Sequence, residues 1–395
     1  MPDHQHFRNV VLGAGAMGCA AVYQLAKRGE PVALIDQFAA GHTRGSSHSA
    51  GRIIRHSYAD PRYARLMPEA FRAWRELEAE AGVPLYLRTG GVSFSPPGVD
   101  YVAQVAASLA EIDVPHRRMT GEEWSRRNIA FGIPPKYDVV FEPDAGMIAA
   151  SRAVGVMLAL ADCLAAAQRA APREGTVLLP DTPIRRIDLE GEHPALVGDG
   201  LVITAERLIV AAGAWVGKLL PELAGTLVPT HQQVLYFHPL DEAAFAPGRF
   251  PVFIHMGAGQ WNAFYGMPSF LGTGVKVARH GGPPIDPDSD DRAVDEAYRD
   301  TVRAFLKEHI PVLGRSPIER EEVCLYTMAP GEEFVVGPHP ARPDVLVASP
   351  CSGHGFKFAP VVGRVLADLI TTGTTPLDVT AWRTPDPVPP PLPPS

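Results

Sequence analysis

Asn9-Val10-Val11-Leu12-Gly13-Ala14-Gly15-Ala16-Met17-Gly18 is the stretch that decides the fold. Its first four residues form a short apolar run that reads as a buried strand. A GxGxxG follows at once, then a helical pattern through Ala20, Ala21, Leu25 and Ala26 that ends at Lys27-Arg28-Gly29. Two basic residues and a glycine suit a helix C-terminus. Pro31-Val32-Ala33-Leu34-Ile35 is a second strand, and Asp36 closes it. This is a complete β-α-β unit. Gly13 permits the tight turn, Gly15 lets the backbone approach a pyrophosphate, and Gly18 lets the helix pack closely on the sheet. The helix N-terminus offers unpaired N–H groups to phosphate. Asp36, 23 residues after Gly13 (36 − 13), can hold ribose hydroxyls. The pattern predicts dinucleotide binding, where a lone glycine-rich turn would not. An acid at 36 suits NAD or the AMP half of FAD and disfavours NADP.

Working outward, residues 39–56 read AAGHTRGSSHSAGRIIRH, a small and polar loop where a simple NAD domain would continue helix-strand-helix. Such a loop suits a long cofactor that extends past its pyrophosphate. Residues 62–82 form an amphipathic helix with Leu66, Phe71, Trp74 and Leu77 near one face. Further helices are expected over 151–171, 292–310 and 361–371, and strands near 176–180, 184–189, 201–204, 322–327 and 345–348, while 208–215 reads as a buried strand meeting a glycine turn. Residues 228–280 read as sheet. The proline-dense end, 385–395, is expected to be an extended tail; it holds 7 of the chain's 40 prolines.

Composition excludes several classes. The 395 residues carry 36 Lys and Arg against 44 Asp and Glu, a net charge of −8, so no basic excess favours nucleic acid. Four cysteines rule out a disulfide scaffold, and Cys19, Cys163, Cys324 and Cys351 lack metal-ligand spacing; each is by default a small buried hydrophobe, and no metal is expected. The N-terminus lacks the pattern of a secretory signal, and the strongest apolar run, 208–216, is too short to span a bilayer. The expectation is a cytoplasmic protein without membrane or nucleic-acid partners.

Several segments together resemble the monomeric sarcosine oxidase and N-methyltryptophan oxidase family, within the D-amino-acid-oxidase-type flavoproteins. They are VVLGAGAMG (10–18), GRIIRHSYAD (51–60), FEPDAGMI (141–148), CLYT (324–327) and SGHGFKF (352–358). The resemblance runs from about residue 8 to 375. It implies an α/β (α+β two-domain) architecture: a Rossmann-like FAD-binding domain interleaved with a mixed-sheet substrate domain. The FAD domain would take 8–90, 147–222 and 325–375, and the substrate domain 91–146 and 223–324. The implied chemistry is oxidation of a secondary amine to an imine that hydrolyses, with O2 reduced to H2O2. The flavin carries that chemistry, and the protein supplies position and charge.

The resemblance also assigns residues. Cofactor contacts fall on Gly13, Gly15, Ala16, Met17, Gly18, Asp36, His42, Ser46, His48, Arg52, Ile184, Gly353, Gly355 and Lys357. Cys324 matches the cysteine that forms a thioether to the flavin; Cys351 competes for that role but lies outside the motif. Arg55 and Lys357 match the pair that holds the substrate carboxylate. Arg52 matches an arginine against the flavin face. Lys276 matches an oxygen-activating lysine, His280 a histidine near the amine site, and Tyr265 and Tyr326 the aromatic pocket walls. Segment 251–265 is about two residues longer than in sarcosine oxidase. Ile254 takes a pocket position there, while His255, Met256 and Trp261 find no counterpart. The substrate is thus left open among sarcosine, other N-methyl amino acids and bulkier secondary amines, and the chain is expected to be a monomer or weak homo-oligomer. A flavin-dependent dehydrogenase of the same fold, or a non-catalytic flavin-binding subunit, are the competing readings.

Overall fold

A computed structural model describes residues 2–168, 175–259 and 262–384. The strand Asp3–Leu12 starts in solvent, with alternately exposed side chains, and ends fully buried at Asn9–Leu12. It pairs in parallel with Leu201–Val210 along nearly its whole length and with Val32–Ile35 at its inner end. Thr176–Leu179 lies beyond Val32–Ile35, also parallel. Arg342–Ser349 joins the inner half of Leu201–Val210, again parallel. Five parallel strands therefore point their carboxyl ends the same way, the edge where doubly wound sheets bind ligands. The outer half of Leu201–Val210 instead takes the hairpin Ile184–Asp188/Ala195–Gly198.

Two expectations change here. The first strand begins at Asp3 rather than Asn9. The strands expected near 201–204 and over 208–215 are one continuous strand, Leu201–Val210, and Gly213–Trp215 is a single helical turn. Hydrogen bonding to a long partner carries the polar residues of both across, although they bury little.

Helix Ala16–Lys27 is buried almost all round, between helices Ala150–Gln168 and Ala359–Thr372. Contact with the last is at backbone distance: a Cβ at Gly363 would lie 2.5 Å from the Ala20 carbonyl. Helix Pro61–Ala81 starts on an Asp60 cap, whose carboxylate accepts from the Arg62 N–H, and stops at Gly82 with φ 64°. The helix expected over 292–310 begins later, as Glu296–His309, and Pro311 opens a new short helix, Pro311–Arg315.

A second eight-stranded sheet runs in the order Ile318–Met328, Val228–Phe237, Val275–Arg279, Ala263–Met267, Val252–Met256, Gly91–Ser95, Asp138–Glu142, Arg117–Thr120. It is mixed, since Val252–Met256 pairs in parallel with Gly91–Ser95. Period-two alternation splits its side chains. Val275, Val277, Phe253 and Phe264 join a core with Val302, Phe305 and Leu306 of Glu296–His309. Ile254, Tyr265, Lys276, Cys324 and Tyr326 border a large cavity. Val335–His339, antiparallel to Arg342–Ser349, is the eighth strand of the first sheet, and Gly51–Ile54, Gly146–Ala149 and Tyr86–Arg88 form a small third sheet. The domain cut expected at 324/325 falls inside the strand Ile318–Met328.

All four cysteines are free. Cys19 and Cys324 are buried, Cys351 is half-buried, and Cys163 is exposed, contrary to the expectation that all would be core. The proline-dense tail and Trp261 lie outside the described residues. Among the described residues, no helix is long and apolar enough to cross a membrane and no group of His, Cys, Asp and Glu could hold a metal.

Candidate active site

A cavity of about 850 Å³ opens between the carboxyl ends of the parallel strands and the inner face of the mixed sheet. Every residue assigned above to cofactor or substrate lines it, with one exception. Gly18 does not. A Cβ there would sit 1.8 Å from the Gly13 carbonyl oxygen, so Gly18 brings the helix onto the turn and its assignment as a cofactor contact is corrected to packing.

At one end the glycine turn is locked by local geometry. Gly13 has φ 110°, and a Cβ would lie 2.4 Å from the Ala211 carbonyl oxygen. The Ala14 N–H donates to Asp36 Oδ2 at 2.6 Å, and the Phe38 N–H donates to Oδ1 at 2.8 Å. The Ala16 N–H, at the start of the helix, donates to Ser47 Oγ at 2.9 Å. A Cβ on Gly15 would come within 3.1 Å of that hydroxyl. His42 Nε2 lies 3.8 Å from Asp36 Oδ1, and burial pushes the imidazole pKa down against that carboxylate. The Ser46 hydroxyl donates to the Leu325 carbonyl, tying this loop to the mixed sheet. Met17 and Ile184 border the same end.

At the other end cationic side chains gather, and Arg52, Arg55, Lys276 and Lys357 make no direct ion pair among the described residues. The Arg52 guanidinium donates to three backbone carbonyls, those of Gly51 at 2.9 Å, Ser46 at 2.7 Å and His48 at 2.8 Å. These fix its direction and leave its charge uncompensated. His48 Nε2 is buried without a partner, and burial, then Arg52, pushes its pKa down to about 4. Lys276 is 4% exposed; burial, then Arg52, lowers its pKa to about 7. Burial raises the Cys324 thiol pKa, opposed by Arg52 and Lys276.

Lys357 is 5% exposed, and its ammonium donates to Tyr58 Oη at 2.9 Å and to the His354 carbonyl at 2.7 Å. Arg55 lies over that same ring, its guanidinium 4.5 Å from the Tyr58 centroid, with Nη1 buried and unpartnered. Burial, then Arg55, drives the Lys357 pKa well down. Neither cation has a carboxylate partner among the described residues. Two buried cations around one tyrosine form a site for an anion.

Tyr265 and Tyr326 meet hydroxyl to hydroxyl at 3.1 Å. Gly353 (φ 80°) lets His280 and Tyr326 close in; a Cβ there would lie 2.4 Å from His280 Cε1. At Gly355 a Cβ would lie 1.4 Å from the Pro350 carbonyl oxygen. His280 Nε2 is 3.3 Å from Glu332 Oε1. Ile254 and Met256 border the cavity, while His255 turns to the opposite face, its ring 5.0 Å from that of His309.

The structure adds residues that the sequence reading missed. Tyr58 and His354 connect through a 3.0 Å hydrogen bond beside Lys357. Both stand inside the segments GRIIRHSYAD and SGHGFKF, so nearness to Arg55 and Lys357 was the available signal. Ser47 and Glu332 carried none.

The geometry fits an extended dinucleotide whose far end meets an anionic substrate. A cradle that excludes a Cβ lies at one end and orphaned cationic and imidazole nitrogens lie at the other. Comparison with known proteins agrees. A family model described as FAD dependent oxidoreductase matches residues 8–369. Monomeric sarcosine oxidase of Bacillus sp. (strain NS-129) is 34% identical over 386 residues, covering 95% of this chain and 96% of that protein. N-methyl-L-tryptophan oxidase of Yersinia pestis (strain Pestoides F) is 29% identical over 378 residues, covering 94% and 97%. Among solved structures, the open form of NikD, an unusual amino acid oxidase essential for nikkomycin biosynthesis, superposes with a TM-score of 0.80 at 21% identity. It covers 95% of this chain and 97% of that one.

Proposed function

The chain belongs to the FAD dependent oxidoreductase family, and from that premise we propose that it oxidises an N-methyl or other secondary amino acid. The products would be an imine, hydrolysed to amine and aldehyde, and H2O2 from O2. FAD, when bound, supplies the acceptor for the hydride equivalent that leaves the carbon next to nitrogen. In this reading the Rossmann-like sheet forms the FAD unit and the mixed sheet the substrate unit, with the junction after Met328.

The chain's own residues would divide the work. Gly13, Gly15, Ala16 and Met17 take the pyrophosphate at the helix N-terminus, and Asp36 the ribose. His42, Ser46, His48, Ile184, Gly353 and Gly355 border the rest of the cofactor. Cys324 is the residue for a covalent thioether; burial disfavours the thiolate that this bond requires, and Arg52 and Lys276 work against that burial. Arg52, aimed by three carbonyls, places positive charge where electron density accumulates on reduction. Arg55 and Lys357 bind the substrate carboxylate. Tyr265, Tyr326 and Ile254 enclose its carbon skeleton. His280, paired with Glu332, faces the amine, and Lys276 faces O2. The relatives named as monomeric support a monomer with a small-molecule substrate.

One observation carries the reading: Arg55 and Lys357 both border the cavity around Tyr58 with no carboxylate among the described residues to meet them. A peroxide assay across sarcosine, other N-methyl amino acids and their decarboxylated amines tests it. Turnover of the acids, with the amines at least 100-fold poorer in kcat/KM, is the expected result. Equal turnover with and without the carboxylate would overturn it. Acid precipitation tests the thioether: yellow should stay with the protein pellet, and a colourless pellet would refute attachment at Cys324.

A further inference from the structure

Behind Lys276 lies a chain of hydrogen bonds that no role above uses. The Lys276 ammonium donates to Ser49 Oγ at 3.4 Å. Ser49 Oγ and Tyr236 Oη are 2.7 Å apart, and Tyr236 Oη donates to Glu322 Oε2 at 2.7 Å. Glu322 reaches the surface, its side chain 18% exposed and 3.0 Å from Arg320, which is itself 43% exposed. Strand pairing builds the line: Tyr236 stands directly across from Lys276 on one side and from Arg320 on the other. Ser49 joins from the FAD side with φ 95°, a conformation that costs a non-glycine residue about 1 kcal/mol or more. That strain sets its hydroxyl between the lysine and the phenol.

We propose that Glu322, Tyr236 and Ser49 form the proton route between solvent and Lys276, and that the Glu322 carboxylate holds the lysine in its charged form. The proposal rests on the reading of Lys276 as the residue facing O2. Reducing O2 to H2O2 takes two electrons and two protons. FAD, when bound and reduced, would supply both electrons and one proton, which leaves one proton for the protein to deliver. Lys276 gives that proton. Ser49 then donates to the neutral amine, Tyr236 donates to Ser49, and Glu322, protonated from solvent, donates to Tyr236. One proton enters at the carboxylate and one leaves at Nζ, and the chain ends as it began.

The charged and titratable groups around this line are few. Arg52, Arg320, Cys324, Glu322 and His48 act on Lys276; Ser49, Glu322, Arg320, Arg52 and Lys276 act on Tyr236; Tyr236, Arg320, Lys276 and His48 act on Glu322. Burial first, then Arg52 and Arg320, push the lysine toward its neutral form; Cys324 and Glu322 oppose them, and Glu322 is the carboxylate of the two.

Two measurements on the flavin-loaded enzyme test this. The first is an NMR titration of isotope-labelled lysine side chains, six in the chain, with Lys276 assigned by its loss in Lys276→Met. Glu322→Gln should lower the Lys276 midpoint by half a pH unit or more, and an unchanged midpoint would overturn the countercharge role. The second is rapid-mixing kinetics of the two half-reactions. Tyr236→Phe keeps the ring and should slow reoxidation by O2 about tenfold, with a larger solvent deuterium isotope effect, while flavin reduction changes less than twofold. Ser49→Gly, which suits φ 95° without strain, should fold as well as the parent and show the same selective slowing. Wild-type reoxidation in Tyr236→Phe and Ser49→Gly, alongside slow reoxidation in Lys276→Met, would overturn the relay alone. Normal reoxidation in Lys276→Met would overturn the reading of Lys276 beneath it.

Discussion

The two ends of the cavity are built on opposite principles. The nucleotide end is satisfied without a ligand: Asp36 already accepts two backbone N–H groups, and the helix start already has Ser47. The reacting end is unsatisfied: Arg52, Arg55, Lys276 and Lys357 share a low-dielectric space, with buried nitrogens on Arg55 and His48 left open. The first end is a rigid mould whose cost lies in backbone conformation. The second stores electrostatic cost that a substrate carboxylate and an electron-rich cofactor would relieve. Stability and function should therefore respond oppositely to mutation at the two ends.

The largest expected effect is at Lys357. Lys357→Met removes a buried cation and should cost roughly 10²–10³-fold in kcat/KM for amino acid substrates, the scale of truncating one partner of a buried charged contact. The same variant should raise the melting temperature of the substrate-free protein, because the uncompensated charge is gone. Calorimetry beside steady-state kinetics checks both, and a fall in both quantities would break the contrast. Next is Gly13→Ala at the moulded end. Its Cβ would meet the Ala211 carbonyl and its φ of 110° disfavours alanine, so stability should drop by about 2–3 kcal/mol and cofactor retention should fall with it. Denaturant unfolding and flavin absorbance report the two losses.

The smallest expected effect is the slope of stability with pH. His48 and His255 have folded-state pKa values of about 4 and 3, lowered chiefly by burial. In the unfolded chain each titrates near 6.5, at about the model-peptide value. Stability is complete above that pH, falls as the unfolded chain takes up protons below it, and stops falling once the folded-state values are passed. Urea midpoints at pH 7.5 and 5 should differ accordingly, and His255→Phe should shrink the difference. An unchanged slope would mean that His255 is not held neutral on the far face of the sheet.

Much of the fold was legible in order along the chain. The β-α-β unit is contiguous, and its glycines have local backbone reasons that a sequence displays. The helix over Pro61–Ala81 announces itself through its Asp60 cap, its apolar face and Gly82. The outer halves of Asp3–Leu12 and Leu201–Val210 were not legible, because partners 198 residues apart create those strands and their polar surface hides them (for example Asp3 opposite Leu201). The site divides in the same way. Arg55 and Lys357 stand in motifs specific enough to be picked out. Ser49, Tyr236 and Glu322 belong to three segments with no shared pattern; strand register sets Tyr236 beside Glu322, and the φ 95° backbone at Ser49 brings its hydroxyl to them.

The sequence by itself predicted a dinucleotide cradle at Gly13–Gly18 and Asp36 from residue types at short spacing, and its family resemblance named the cations expected beside it. Tertiary structure decided that Arg55 and Lys357 close on one tyrosine, that Gly18 serves packing, and that a buried lysine has a wired path to the surface. These depend on distances between segments far apart in the chain, and on burial, which sets the charge a side chain can carry.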